Sequence, residues 1–292
     1  MTKLCVLNVG PVEWFSPHFA FDDDDFIVSN YDPLKEKVSL YQRVDELKPD
    51  LLFVFRGDLL RGELNNLRHI NKIEFSSEIY PTNVFSSNFA QNIAIRKFVH
   101  CLKNLSLTDK VFHYDESRRL FFDAMDLKLD FHFLPVNISC FGNASFYKKD
   151  IDVLFFGRAS ERRSGVLNGL KEVGLKFVWI ENGLAWEELS KYILRSRFVI
   201  NICAEDNDNF EPRILLGLAG GAHVITEQSV GLDLFLEKYP NYRSFIHVIS
   251  PQTNEILKKV RELKNVDFCI SNSDVYELSS NFFIKKWING FV

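Results

Sequence analysis

Short runs of apolar residues alternate with longer amphipathic segments along the whole chain. Such runs are typical of buried strands, and the segments between them carry apolar residues at helical spacing. In the first half, strands are predicted at residues 4–9, 26–29, 51–55, 72–75, 111–114 and 131–135. Helices are predicted there at residues 34–46, 59–69, 89–102 and 116–125.

The second half repeats this alternation after a stretch without periodicity. Residues 136–150 are rich in Asn, Ser and Gly, which is typical of a linker. Strands are predicted beyond it at residues 153–156, 177–180, 198–202, 223–226 and 245–249. Helices are predicted at residues 161–173, 186–196, 213–219, 232–238, 254–263 and 275–287.

The alternation of strands and helices predicts an α/β fold. We expect two doubly wound Rossmann-like domains that face a central cleft. The expected boundaries are 1–140 for the first domain and 150–274 for the second. The last segment, 275–292, is expected to be a helix that could pack back on the first domain.

Composition and charge narrow the class of protein. The chain has 292 residues, 46% hydrophobic and 25% charged, which suits a globular protein with a sizeable core. The net charge of -4, without a basic stripe, disfavours nucleic acid as the main partner. We find no signal peptide and no apolar run that could span a membrane, and the five scattered cysteines resemble reduced thiols. We therefore expect a cytoplasmic protein, with neither a metal site nor a cofactor.

A glycine and three arginines follow the first strand of the second half. Gly157-Arg158 comes directly after the buried run, and a helix is predicted to start near Ser160. Glycine lets a ligand approach the backbone, and a helix N-terminus attracts anions. Arg158, Arg162 and Arg163 add forked donors that suit phosphate. The pattern favours a phosphate site, but a helix with a basic, solvated first turn would carry the same residues.

A second basic segment, Glu211-Pro212-Arg213, opens the helix that follows the strand at 198–202. Proline suits the first turn of a helix, and from that turn Arg213 could reach a diphosphate. Glu211 could accept hydrogen bonds from sugar or ribose hydroxyls. The competing interpretation is a capped helix whose glycines serve packing alone.

Other candidate residues lie in loops that follow predicted strands. Asn182 and Leu184 could present main-chain groups to a nucleobase, and Glu227 could hold the sugar of a donor. A simple turn and a polar surface loop are the competing interpretations. In the first half, Asp58 and Glu78 could each act as a general base toward an acceptor hydroxyl. Either carboxylate could equally be a surface or capping residue.

These segments together resemble the GT-B glycosyltransferases, most closely the branch similar to spore-coat maturation glycosyltransferases. The resemblance covers roughly residues 111–235, and the rest of the first half agrees in layout only. The matching stretches are Asp152-Val-Leu-Phe-Phe-Gly157-Arg158, Arg163 with the helix after it, 186–192, 198–202 and 213–226, and more weakly 111–115 and 133–136.

The resemblance implies a transferase whose C-terminal domain holds a nucleotide-sugar donor and whose N-terminal domain presents the acceptor. No metal is normally needed in that group, because basic side chains and helix termini neutralise the leaving diphosphate. It implies three sets of donor contacts: Arg158, Arg163 and Arg213 at the diphosphate, Asn182 and Leu184 at the base, and Glu227 at the sugar.

One position departs from the family pattern. Many relatives carry a glutamate five residues before the glycine that matches Gly221, and that glutamate binds the ribose hydroxyls. This chain has Leu216 there, and Glu211 could substitute from the previous turn. The departure leaves the identity of the donor open.

The leading hypothesis is a metal-independent glycosyltransferase. It would move a sugar from a nucleotide-diphosphate donor, with UDP-sugars as one candidate class, to a hydroxyl of a glycan or another surface component. The alternative is a non-catalytic protein that binds a nucleotide sugar or glycan on the same scaffold, which Leu216 supports. A transferase acting on modified DNA bases is a third hypothesis, and the net charge of -4 disfavours it.

Overall fold

The chain divides into two compact units. The first comprises Met1–Asn137 and Ile284–Val292, and the second comprises Ile138–Phe283. The computed structural model describes residues 3–60, 62–78, 80, 89–142, 147–204, 209–266 and 272–288. Part of the predicted linker, part of the loop before Asn209, and Cys269 therefore lie outside the described residues.

The strands form one parallel sheet in each unit. The first sheet contains β1 (Leu4–Val9), β2 (Phe26–Tyr31), β3 (Leu51–Phe55), β4 (Asn71–Ser76), β5 (Lys110–His113) and β6 (Asp130–Phe131). The second contains β7 (Ile151–Phe156), β8 (Phe177–Ile180), β9 (Ser196–Asn201), β10 (His223–Thr226) and β11 (Ile246–Val248). Their spatial orders are β2-β1-β3-β4-β5-β6 and β11-β10-β9-β7-β8.

Helices connect the strands, as parallel pairing requires. The α-helices are α1 (Val12–Phe15), α2 (Leu40–Leu47), α3 (Phe89–Leu105), α4 (Arg119–Ala124), α5 (Glu161–Lys171), α6 (Trp186–Arg195), α7 (Arg213–Ala219), α8 (Val230–Lys238), α9 (Thr253–Leu263), α10 (Asn272–Glu277) and α11 (Ser280–Ile288). Short 3-10 helices cover Ser16–His18, Gly57–Leu60, Glu63–Asn66, Glu116–Arg118, Ile138–Phe141 and Pro240–Ser244. None of the described helices has the length and apolar character needed to cross a membrane.

The predicted α/β fold with two Rossmann-like domains is confirmed. Each sheet is parallel throughout, and each has its first strand flanked by its second and third strands. This is the 2-1-3-4-5 order of doubly wound folds. Because crossovers between parallel strands are right-handed, a sheet that extends to both sides of its first strand has helices on both faces.

Aromatic rings fill one face of the first sheet. Phe53 meets Phe55 and Phe75 at ring-centroid distances of 5.1 and 5.9 Å, and Phe75 stacks on Phe112 at 5.3 Å. Trp287 of α11 packs edge-on against Phe112 at 4.6 Å. Rings bury more apolar area than aliphatic side chains, so this stack forms a large part of the core of the first unit.

The helix predicted at 34–46 begins later than expected, at Leu40. Ser39 Oγ accepts a hydrogen bond from the Gln42 amide (3.2 Å), and Gln42 Oε1 accepts one from the Ser39 amide (3.0 Å). This reciprocal capping box fixes the N-terminus of α2. Upstream, the Asp32 carboxylate accepts from the Leu34 amide and holds a turn instead of a helix.

The prediction of a helix at 59–69 is wrong. The segment folds as the two 3-10 helices Gly57–Leu60 and Glu63–Asn66. Gly62 stands between them with φ +90°, in the left-handed region, and this interrupts a helix. Leu60, Leu64 and Leu67 are buried all the same, so the apolar pattern predicted their burial correctly and the type of helix incorrectly.

Two further elements differ from the prediction. The strand predicted at 131–135 shrinks to Asp130–Phe131, because β6 lies at the sheet edge and pairs with β5 alone. The helix predicted at 275–287 is split into α10 and α11. Ser279 caps the second of these, since its Oγ accepts from the Phe282 amide at 3.0 Å.

Candidate functional site

Polar side chains of the second unit collect where β7, β9 and β10 end. In the second sheet the chain leaves β7 toward β8 on one side and returns to β9 on the other. Open parallel sheets bind ligands at such a reversal, outside the carboxyl ends of the strands. The residues that follow these three strands therefore form the candidate site.

Gly157 ends β7 in a conformation that L-residues with side chains rarely adopt. Its φ is +151°, its amide donates to the Ile180 carbonyl (2.9 Å), and its carbonyl accepts from Trp179 Nε1 (3.1 Å). A Cβ placed here would lie 3.0 Å from Arg213 Nη2 and 3.6 Å from Arg163 Nη1. The missing side chain thus leaves a small hollow beside two guanidinium groups.

Arg213, the first residue of α7, is 8% exposed and turns back under the sheet edge. Its Nε donates to the Phe156 carbonyl at 2.8 Å, and its Nη1 donates to Asn201 Oδ1. The guanidinium lies 4.8 Å from the ring centroid of Phe155. Burial lowers the pKa of Arg213, and the charge of Glu211 offsets part of this effect. The remaining nitrogen, Nη2, points to the hollow at Gly157.

Arg163, in the first turn of α5, is 6% exposed and lies over the same Phe155 ring at 5.3 Å. Its Nε donates to the Ile202 carbonyl (2.8 Å), and its Nη1 donates to the Arg158 carbonyl (3.0 Å). Burial, and then the charge of Arg213, lower the pKa of Arg163 to about 10. Two cations are therefore buried side by side, an arrangement that an anion would stabilise.

Glu227, which follows β10, is bound by Arg162. The guanidinium of Arg162 contacts both carboxylate oxygens, with Nη1 at 2.9 Å from Oε1, and it also donates to the Cys203 carbonyl at 3.1 Å. The Cys203 amide donates to the same carboxylate. Glu227 is thus oriented by α5 and by the end of β9, and its charge is balanced within the protein.

Glu211 is half-buried just before α7. Its charge raises the pKa of both Arg163 and Arg213, so the carboxylate lies within electrostatic reach of the buried pair. Leu216, at the position where the family pattern has glutamate, is buried in the core of the unit. Among the described residues, Glu211 is therefore the carboxylate directly before α7.

Arg158, Asn182 and Leu184 are more peripheral than the sequence pattern suggested. The Arg158 side chain is exposed, and only its carbonyl contacts the buried pair, through Arg163. Asn182 is exposed and Leu184 half-buried in the loop after β8, the strand beside β7. The loop follows the same sheet edge, but no contact joins it to the arginines among the hydrogen bonds of the described residues.

In the first unit, Asp58 and Glu78 gather around Arg56. Arg56 Nε and Nη2 donate to the two Asp58 oxygens at 2.8 and 2.9 Å, and Nε lies 3.1 Å from Glu78. Lys97 also contacts Glu78. Burial alone would raise the pKa of Asp58, but the hydrogen bonds and charge of Arg56 outweigh it and lower that pKa. The structure therefore places both candidate bases in one ion-pair cluster.

Sequence reasoning missed several residues of these clusters. In the second unit the missed residues are Asn201 and Cys203. The role of Ser160 was also missed: its Oγ accepts from the Arg163 amide (3.3 Å) and donates to the Ala204 carbonyl (2.9 Å). In the first unit it is Glu74. Asn201 carries a sequence signal, because this polar residue directly follows the apolar run at 198–200. Glu74 carries a weaker one, because it lies between Ile73 and Phe75 in a strand whose other residues are polar. The pairing of Arg162 with Glu227 carries none.

No protein-family model matches the chain, and no curated protein matches it. Solved structures do share its fold. Sucrose-phosphate synthase from Thermosynechococcus elongatus superposes with a TM-score of 0.55 at 10% identity, covering 86% of this chain and 76% of that one. HepE from Anabaena, solved in complex with UDP and glucose, gives 0.53 at 10% identity over 91% and 86%. At this identity the likeness supports the two-domain Rossmann-like fold, which is the fold of GT-B enzymes.

Proposed function

We propose that the protein is a glycosyltransferase that moves a sugar from a nucleotide-diphosphate donor to a hydroxyl group. The observation that carries this proposal is the buried pair of Arg163 and Arg213 beside the hollow at Gly157. Two neighbouring buried cations are unfavourable until an anion joins them. Among the described residues, the nearby carboxylates Glu211 and Glu227 do not fully compensate. Glu227 is bound by Arg162, and the pKa of Arg163 stays lowered in spite of both charges.

The position of the pair favours a diphosphate over a simple anion. It lies at the reversal of a doubly wound sheet, next to the N-terminus of α5, whose first amides add partial positive charge. Two solved structures of this fold concern sugars: one is named a sucrose-phosphate synthase, and the other was solved with UDP and glucose. A UDP-sugar is therefore the first donor class to test.

The proposed donor contacts are those that the family resemblance implies. Arg163 and Arg213 would bind the diphosphate and Arg158 would approach it from the exposed side. The loop at Asn182 and Leu184 would lie by the base. Glu211 would bind the ribose, since Leu216 offers no hydrogen bond, and Glu227, oriented by Arg162, would lie by the sugar.

The chemistry asked of the site is to stabilise the departing diphosphate. Its negative charge grows as the glycosidic bond breaks, and preorganised donors in a buried site stabilise such charge by about 3–4 kcal/mol each. Arg163 and Arg213 are held in place by backbone carbonyls, so they need no reorganisation at that moment. In this proposal the arginines do the work that a metal ion does elsewhere.

The acceptor side of the proposal lies in the first unit. A hydroxyl of a glycan or another surface component would lose its proton as the new bond forms. Asp58 and Glu78 are the proposed bases, and their shared ion pairs with Arg56 would position them. The lowered pKa of Asp58 makes its carboxylate a weak base for as long as Arg56 stays paired with it.

The test is nucleotide binding and turnover by the whole protein. UDP, UDP-glucose and other nucleotide sugars should raise the melting temperature, and the donors should release nucleotide diphosphate. Arg213→Lys should weaken binding by about 10–100-fold, because a lysine cannot replace a forked guanidinium. Arg197→Lys, at an exposed arginine of the same unit, should bind like the wild type. If no donor binds and none is turned over, the proposal is wrong.

A non-catalytic nucleotide-sugar or glycan-binding protein is the second candidate. The buried Leu216 favours it, because the ribose contact that this position makes in the family pattern is missing. Binding of a nucleotide sugar that depends on Arg213, without turnover against a broad acceptor panel, would establish the second candidate over the first.

A further inference from the structure

The first unit contains a buried carboxyl group that the donor site does not use. Glu74 lies in β4 and is 4% exposed. Its Oε1 accepts a hydrogen bond from Asn104 Nδ2 at 3.1 Å. Its Oε2 is also buried and has no hydrogen-bond partner in the part of the chain that the structure describes. A buried carboxyl oxygen without a donor is unfavourable, so it marks a place where a ligand group can supply one.

A small pocket lies at Glu74. It has a volume of about 20 Å³ and is lined by Arg56, Asp58, Glu78 and Lys97 among others. This volume admits one water molecule or one hydroxyl group. The side chains of Asp58, Glu78 and Lys97 are partly exposed, so a larger molecule could insert one group from the solvent side.

The turn above Glu74 is shaped by the carboxyl group. A Cβ on Gly57 would lie 2.5 Å from both Glu74 Oε1 and Asn104 Nδ2, so a side chain there would displace them. The preceding Arg56 has φ +59°, in the left-handed region, although it is not a glycine. Strained backbone of this kind persists where the surroundings fix it, and it collects at functional sites.

The charges around Glu74 select the class of ligand group. Among the side chains that the structure describes, the titratable groups facing it come from three segments. They are Arg56 and Asp58 from the turn after β3, Glu78 and Tyr80 from the segment after β4, and Lys97, His100 and Cys101 from α3. Arg56 is paired with Asp58 and Glu78, and Lys97 with Glu78. A phosphate would be repelled by the three carboxyl groups. Arg56 and Lys97 already balance the charges of Asp58 and Glu78, so the cluster requires no further cation. A neutral hydroxyl can donate to Glu74 and accept from a cation.

We propose that Glu74 is the hydrogen-bond acceptor of a subsite in the first unit that binds one hydroxyl group of a polyol, such as a sugar. The subsite requires no nucleotide and no residue of the donor site. Where the proposed transferase function holds, the polyol is the acceptor. Where it fails, the subsite makes the first unit a sugar-binding module.

The experiment is a titration of the whole protein with polyols in the absence of nucleotide. The probes are glycerol, myo-inositol and a panel of methyl hexosides, and saturation-transfer NMR measures their binding. The measurement is made at about pH 8, because burial raises the pKa of Glu74 to about 7 and its carboxyl group is ionised at that pH. At least one probe should bind the wild type. Glu74→Gln should raise its dissociation constant about fivefold or more, since a charged acceptor is lost.

Two further variants separate the subsite from general effects on folding. Gly57→Ala places a methyl group against the carboxyl group and should abolish binding in a protein that circular dichroism shows to be folded. Asp45→Asn, at a carboxylate in a different pocket of the same unit, should bind like the wild type. At about pH 5 the wild type should bind as weakly as Glu74→Gln, because its carboxyl group is then protonated.

The proposal is overturned if no probe binds the wild type, which would mean that the pocket holds a water molecule only. It is also overturned if Glu74→Gln binds as tightly as the wild type. Neither result bears on the donor site, because no probe contains a nucleotide. Conversely, a protein that binds no nucleotide sugar can still pass this test.

Discussion

At the scale of residues, buried charge is managed differently in the two units. In the second unit, backbone carbonyls at strand ends satisfy the arginines, as with Ile202 for Arg163 and Phe156 for Arg213. In the first unit, one oxygen of Glu74 is left without a donor among the described residues. The arginines are therefore fixed and charged, whereas the carboxyl group can change its protonation state near neutral pH.

Gly157→Ala should remove the nucleotide response and lower the stability of the protein. The left-handed φ and the close Arg213 Nη2 together predict a loss of about 1–3 kcal/mol in the free energy of unfolding. Denaturant unfolding and thermal shift with UDP measure the two effects. Gly165→Ala is the matched control, since nothing lies within 4 Å of its Cβ in the middle of α5. It should stabilise the protein by up to about 1 kcal/mol and leave UDP binding intact.

Glu74→Gln should change how stability depends on pH. The folded-state pKa of Glu74 is about 7 and the ordinary value is 4.5, so the folded protein binds the proton more tightly than the unfolded chain. The stability that this tighter proton binding contributes is fully present below the ordinary pKa of 4.5. It is lost as the pH rises from that value through the folded-state pKa of about 7. The wild type should therefore lose about 3 kcal/mol relative to Glu74→Gln across that window. Parallel pH profiles of unfolding for the two proteins would contradict the expectation, and Asp45→Asn should follow the wild type.

At the scale of elements, the N-terminus of α5 connects three parts of the proposed donor site. Ser160 caps the helix, its hydroxyl donates to the Ala204 carbonyl after β9, and the first turn carries Arg162 and Arg163. The sequence showed this helix but not its connection to β9. The capping box at Ser39 does carry a local signal, because serine followed three residues later by glutamine is a known helix start, but the predicted start at residue 34 missed it.

Ser160→Ala should cost about 1–2 kcal/mol of stability and also weaken nucleotide binding, because α5 loses its cap and its link to the end of β9. Chemical unfolding and a UDP titration measure the two changes. Ser39→Ala removes the cap of α2 in the first unit, so it should lower stability to a similar extent and leave UDP affinity unchanged. If the wild type, Ser160→Ala and Ser39→Ala all bind UDP with the same affinity, the cap of α5 plays no part in nucleotide binding and the prediction is wrong.

At the scale of the whole molecule, the two units are built on the same strand order and collect their polar residues at the carboxyl ends of strands. The chain returns to the first unit at Ile284, within α11. Ile284 is fully buried, Lys285 pairs with Asp25, and Trp287 packs on Phe112. The end of α11 therefore contributes to the core of the first unit.

Trp287→Ala should destabilise the first unit by about 2 kcal/mol. This is less than the loss expected for removing a fully buried ring, because Trp287 is half-buried. It loses the edge-on contact with Phe112 and the Lys110 ammonium 4.9 Å from its ring. Hydrogen exchange should quicken in β4 and β5 and stay unchanged in β7 and β9. Trp14→Ala, at a ring that is 49% exposed in the same unit, should stay within about 0.5 kcal/mol of the wild type.

The hydrophobic pattern by itself determined the α/β class and most of the strands, because a strand buried on both faces must be apolar wherever it lies in the fold. It also determined that Arg163 and Arg213 begin helices after such strands. Only the tertiary structure decided that these two share the ring of Phe155, that Arg162 holds Glu227 from 65 residues away, and that Glu74 lies under Gly57. These contacts join residues distant along the chain, and no local periodicity encodes which strand ends become neighbours.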